Sequence, residues 1–224
     1  MEEKNEFEKR QAAKKYYDAG QALALRGRYE EAIEAYNKAI ELNGNNIDIL
    51  SAKMISALQL ERLEEAIESY DNAMDIHKSD VDGDHNEWTK YIIRQMELRI
   101  EDAAINYNND GCDLSRVEKY AEALEEHNKA IRLDPYNIFF LKEKANVLVE
   151  LKRLEEAIEA YDNTISLRPR DAKAYNNKGK CLYELGRLEE SRIALEKAVK
   201  LRPYYGIAKH NRNILICKFG KKFY

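Results

Sequence analysis

Proline is almost missing from this chain: three in 224 residues, beside nine glycines. So few turn-formers leave little material for tight β-turns and nothing to interrupt long helices. Few segments alternate apolar and polar residues with period two, which excludes a sheet as the main architecture. Cysteine is scarce as well. Cys112, Cys181 and Cys217 are odd in number, far apart and without a CxxC, so they read as reduced thiols of an intracellular protein. No apolar run reaches the roughly 20 residues that span a bilayer. The first ten residues, MEEKNEFEKR, lack the apolar core of a secretory signal. A soluble, cytoplasmic protein without membrane attachment is expected. An excess of positive charge is lacking too: the formal net charge of −4 argues against general nucleic-acid binding. The charge is uneven, however. Residues 198–224 contain seven Lys or Arg and no Asp or Glu, leaving 30 basic and 41 acidic side chains elsewhere.

What is present is repetition. The segments RYEEAIEAYNKAIELN (28–43), RLEEAIESYDNAMDIH (62–77), YAEALEEHNKAIRLDP (120–135) and LEEAIEAYDNTISLRP (154–169) are near copies. Pro135, Pro169 and Pro203 follow one another at a step of 34, and so do Ala123, Ala157 and Ser191; Ala32 and Ala66 keep the same step. A fixed period of this length signals stacked supersecondary units. Each unit reads as two helices. In residues 138–171, Leu141, Ala145, Leu148 and Leu151 recur at helical spacing. A turn follows near Lys152 and Arg153. Leu154, Ala157, Ile158, Tyr161 and Ile165 then mark a second apolar face, which ends at Pro169.

These positions resemble the tetratricopeptide repeat (TPR), in which large, small, aromatic and proline residues recur at fixed places. Residues 172–205 carry the pattern as Tyr175, Gly179, Leu182, Ser191, Leu195, Ala198 and Pro203, with Leu195 departing at the aromatic place. Residues 13–46 carry it as Tyr16, Gly20, Leu23, Ala32, Tyr36 and Ala39. Residues 104–137 carry it as Tyr107, Gly111, Leu114, Ala123, His127, Ala130 and Pro135. Residues 47–80 are weaker in the first helix, with Leu50, Met54 and Ala57. The resemblance covers nearly the whole chain. It implies an all-α fold, a right-handed α-α superhelix of antiparallel helix pairs, with five repeats and a C-terminal capping helix.

The expected organisation is a helical extension with two repeats (1–80), an insertion (81–103), three repeats (104–205), and a capping helix with a basic aromatic tail (206–224). The insertion breaks the period by 23 residues. It holds the only tryptophan and a stripe of Trp88, Ile92, Met96 and Ile100. No proline interrupts residues 87–120, so one long helix extending the third repeat backwards is expected, with Trp88 packed on the second repeat; the alternative is a separate extra helix that breaks near Glu101. Asp80, Asp82, Gly83 and Asp84 imitate the start of a calcium loop. His85 then stands in place of the sharp-turn glycine and Tyr91 in place of the bidentate glutamate, so no calcium site is expected.

No catalytic constellation is visible, and neither a metal nor a cofactor is expected. The four histidines do not pair. Glu-Glu pairs recur with the repeat at the start of the second helices, where acids complement the helix dipole. The resemblance implies instead a non-catalytic scaffold that binds a peptide or acidic segment of another protein in the concave groove. Carried over position by position, the groove comprises Asn108, Asn109, Cys112 and Arg116; Phe139, Lys142, Asn146 and Val149; and Lys173, Asn176, Asn177, Lys180 and Tyr183. Asparagine both donates and accepts, as an extended peptide backbone requires, and lysine favours carboxylates. The carboxylate clamp of chaperone-binding relatives matches at Lys142, Asn146 and Asn177 but fails at Ile207 and Asn211, so a generic groove is expected. The alternative is a self-assembly module, a homodimer for example, joined through residues 88–103 or the tail.

Overall fold

The computed structural model describes residues 2–43, 46–79 and 87–219, and their regular elements are eleven α-helices with no strand. The chain divides into two compact units, Met1–Ala103 and Ala104–Tyr224. The first contains α1 (Glu2–Ala24), α2 (Tyr29–Leu42), α3 (Ile47–Gln59), α4 (Leu63–Ser79) and the first half of α5 (Glu87–Arg116). The second contains the rest of α5, then α6 (Tyr120–Leu133), α7 (Ile138–Glu150), α8 (Leu154–Leu167), α9 (Ala172–Glu184), α10 (Leu188–Leu201) and α11 (Gly206–Phe219). α5 is a single helix of 30 residues, about 45 Å long at 1.5 Å per residue. The acidic segment with Asp80, Asp82 and Asp84 lies outside the described residues, as do the Trp88 side chain and residues 220–224.

The two helices of a pair start differently. The side chains of Asn46, Asn137 and Asp171 accept from backbone N–H groups two and three residues on, capping α3, α7 and α9. The second helices α2, α8 and α10 have no side-chain cap. Their first turns carry the Glu-Glu pairs instead, and a preceding arginine binds one glutamate of each: Arg28 with Glu31, Arg153 with Glu156, Arg187 with Glu190. The repeated carboxylates are thus helix-start devices.

Between the helices of each pair stands a left-handed residue: Gly27, Glu61, Glu118, Lys152 and Gly186, with φ between 56° and 74°. The next N–H reaches back to a carbonyl five residues earlier, as from Arg153 to Leu148 (2.9 Å) and Arg187 to Leu182 (2.9 Å). This corner closes the first helix and reverses the chain.

Small residues then let the pair close. Ala32, Ala66, Ala123, Ala157 and Ser191 are fully buried. Opposite them, a Cβ on Gly20 would lie 2.4 Å from the Tyr36 ring, one on Gly111 2.8 Å from His127, and one on Gly179 2.8 Å from Leu195. Each notch in a first helix receives one large side chain of the second. In α3 the notch is filled by Met54, and Tyr70 is only half-buried, its hydroxyl donating to Glu97 (3.3 Å).

From Ile92 to Ile100 the apolar stripe of α5 belongs to the core of the first unit. Ile93 and Met96 are buried, and Ile92 and Ile100 pack around them, in one cluster with Leu50, Met54, Ala66 and Tyr70. Burying such side chains contributes roughly 1.5–3 kcal/mol each. The stripe is therefore used within the chain, which corrects the alternative that assigned it to self-assembly. In the second unit, Leu124, Leu148, Tyr161 and Leu182 join α6–α9 in one cluster.

Candidate functional site

The residues assigned to the groove do not form one uniform surface. Asn109, Arg116, Phe139, Asn146, Lys173 and Lys180 are exposed. Arg116 is engaged by Asp113, and Phe139 stands edge-on to Phe140 with 6.5 Å between centroids. Asn108 and Asn176 are each only 1% exposed, a correction to their expected role. Asn108 Oδ1 lies 3.2 Å from His127 Nδ1. Asn176 donates to Asn177 (3.1 Å) and accepts from Asn211 (2.8 Å). Both sit in seams between helices, where a buried amide needs partners from the fold. In each Asn-Asn pair, the first residue is a tie and the second faces outwards.

Lys142 is also committed. Its ammonium lies 3.1 Å from Asp171, which at the same time caps α9. Burial raises the Asp171 pKa, but bonds from the Ala174 N–H and from Lys142 outweigh it and hold the carboxyl below its ordinary value. The positive charge of Lys142 is therefore largely balanced inside the protein.

What remains open in the second unit is a cavity of about 170 Å³ bordered by Asn146, Val149, Glu150, Asn177, Lys180 and Glu184. Its floor contains Tyr161, whose hydroxyl donates to Asn146 (3.0 Å), and Cys181, whose thiol is pushed up to about 11 by burial. A thiol held neutral in this way is a packing group, not a nucleophile. A neighbouring cavity of about 220 Å³ shares Lys180 and Glu184 and adds Tyr183, Leu195, Asn211 and Ile214. Together they form an amide-lined path with one free-standing lysine and two flanking glutamates. Nothing in it resembles an acid–base pair, and among the described residues no three His, Cys, Asp or Glu side chains cluster to hold a metal. Nor is any described helix long and apolar enough to cross a membrane.

The first unit has a groove that the position-by-position reading passed over. A cavity of about 560 Å³ lies between α1, α2 and α3, lined by Gln21, Ala24, Leu25, Tyr29, Tyr36, Ala52, Ile55, Ser56 and Gln59. Leu25 is 90% exposed and Ile55 37%. The signal was present in the sequence: these two occupy the same repeat places as Lys180 and its neighbours, with apolar residues where polar ones stand later.

A model of the tetratricopeptide repeat matches residues 142–206, and a TPR repeat model matches residues 20–53. Among solved structures, the first TPR of Spaghetti (RPAP3), bound to the HSP90 peptide SRMEEVD, is 23% identical, with 54% of this chain and 95% of that chain covered and a TM-score of 0.51. The first TPR domain of human RPAP3 is 24% identical over 53% of this chain and 94% of that one, at 0.50. The Sgt2 TPR domain of Aspergillus fumigatus is 16% identical over 53% and 80%, also at 0.50. No curated protein matches the sequence. With repeat models matching in both units, and with the notch-and-knob pairing of small and large residues in pair after pair, the chain is a tetratricopeptide-repeat protein.

Proposed function

We propose that this protein is a non-catalytic scaffold whose second unit binds an extended segment of a partner protein. The observation that carries this reading is the open path of Asn146, Asn177 and Lys180. Outward-facing amides on successive first helices offer donors and acceptors to a peptide backbone, and Lys180 supplies a charge for one carboxylate. Glu150 borders the same path and repels additional negative charge, while the Glu184 carboxylate is paired with Lys152 (3.4 Å). The preferred ligand is therefore a segment with one well-placed carboxylate, a side chain or a terminus, and not a polyacidic run. Lys173, exposed on the same helix, reads the flanking residue. The Spaghetti domain bound to the HSP90 peptide SRMEEVD supports peptide binding by analogy of fold, without identifying the partner or the number of carboxylates it carries.

The test is an array of heptapeptides carrying none, one or several carboxylates, followed by titration of the best binder. The double change Asn177→Ala with Lys180→Ala should weaken it at least about tenfold, since hydrogen bonds to charged groups contribute roughly 1.5–3 kcal/mol. Added salt should weaken it further. An array with no binder, or a binder indifferent to both substitutions, would refute the reading.

A further inference from the structure

The cavity in the first unit has a chemistry opposite to that of the amide path. Leu25, Ile55, Ala24 and Ala52 make its walls apolar, and Tyr36 closes the floor. Tyr17 stands tilted against Tyr36 at 6.0 Å between centroids and accepts a bond from Gln21 Nε2 (2.8 Å), which marks one end of the groove. At that end the charge is negative. The Tyr17 hydroxyl is held above its ordinary pKa by burial and then by Asp48 and Asp18, so both carboxylates act on this end. At the Leu25 end, Arg26 follows in the chain, and Arg28 is paired with Glu31. The groove thus has an apolar middle and an acidic end.

The same chain contains a segment of matching chemistry. Residues 216–224, ICKFGKKFY, interleave three lysines with three aromatics and have no acid. Residues 216–219 are the end of α11, on which Ile207, Ile214 and Ile216 remain exposed. The wider charge balance agrees: Met1–Ala103 carries 23 acidic and 14 basic side chains, Ala104–Tyr224 18 and 23.

We infer that the groove lined by Leu25 and Ile55 receives the basic aromatic segment 216–224 of a second copy of this chain. An aromatic ring enters between Leu25 and Ile55, and Lys221 and Lys222 lie towards Asp18, away from Arg26. Because a groove meets a different surface of its neighbour, the contact is heterologous, and each pair of copies retains one open groove and one free segment. Copies add head to tail.

Sedimentation velocity on the full chain over a concentration series tests this. The wild type should show a sedimentation coefficient that climbs steadily with concentration and falls in high salt. Leu25→Asp, at an exposed site that leaves the fold intact by circular dichroism, should weaken association at least about tenfold. Lys221→Glu combined with Lys222→Glu and Phe223→Ser should do the same. Mixing the two variants should give a one-to-one dimer and nothing larger, since only one complementary groove and segment remain. A wild type that stays monomeric at every concentration, variants that associate like the wild type, or a mixture that stays monomeric would each overturn the inference.

Discussion

The two units are built from the same repeat yet present opposite surfaces. In the first, net charge is −9 and the groove is walled by Leu25, Ile55 and alanines. In the second, net charge is +5 and the groove is lined by amides and a lysine. The packing positions are nearly interchangeable between them; the groove positions are not. A residue that faces a neighbouring helix is constrained by volume, whereas one that faces solvent is free to specify a ligand. The difference also reaches the core at one point. The aromatic slot that holds Tyr36 and Tyr70 in the first unit holds His127, Tyr161 and Leu195 in turn in the second.

That slot yields the largest expected contrast. His127 is fully buried, its Nδ1 paired with Asn108, and Nε2 has no hydrogen-bond partner among the described residues. Burial lowers its pKa to about 4 from 6.5. The folded state therefore binds fewer protons than the unfolded state between these values. Stability that is complete above pH 6.5 is lost as pH falls towards 4, by up to about 3 kcal/mol. Urea denaturation at a series of pH values measures this, and His127→Tyr, the residue that stands at this place as Tyr36, Tyr70 and Tyr161, should flatten the curve. A slope unchanged by the substitution would assign acid sensitivity to other groups.

A smaller contrast comes from the notches. Gly20→Ala drives a methyl group into the Tyr36 ring, at 2.4 Å. Overpacking of this kind costs roughly 1–3 kcal/mol, partly offset by the better helix propensity of alanine. Gly179→Ala meets the flexible end of Leu195 and should cost less. Thermal denaturation of the two variants would show equal losses if the rigidity of the knob does not matter. The smallest effect is a gain: Glu118→Gly relieves a left-handed corner residue at φ 62° and should stabilise by about 0.5–1 kcal/mol, after the greater freedom of glycine in the unfolded chain is counted.

Much of this fold is written in spacing. The 34-residue step of prolines and small residues marks the helix pairs, because those positions answer to packing and recur wherever the packing recurs. Ile93 and Ile100 signal by their seven-residue interval that the inserted stretch is helical, and the core of the first unit is where they lie. The groove was less legible. Asn108 and Asn109, or Asn176 and Asn177, look alike in sequence, but the helix turns the first into a seam and the second to solvent. Lys142 reads as a free cation until Asp171 is found beside it. The groove of the first unit is hidden in the sequence because Leu25 and Ile55, apolar residues on helices, look like core residues there. The left-handed corners escaped because only two of five are glycine.

Those corners have a consequence for how the molecule opens. In a stacked array each pair touches only its neighbours, so local openings draw on local terms and not on the whole chain. A corner occupied by glutamate or lysine keeps its pair nearer to release than one occupied by glycine. Amide hydrogen exchange at the start of the second helices should accordingly be faster after Glu61, Glu118 and Lys152 than after Gly27 and Gly186, once burial is matched. One backbone angle, repeated five times and relieved twice, grades the rate at which the repeats breathe.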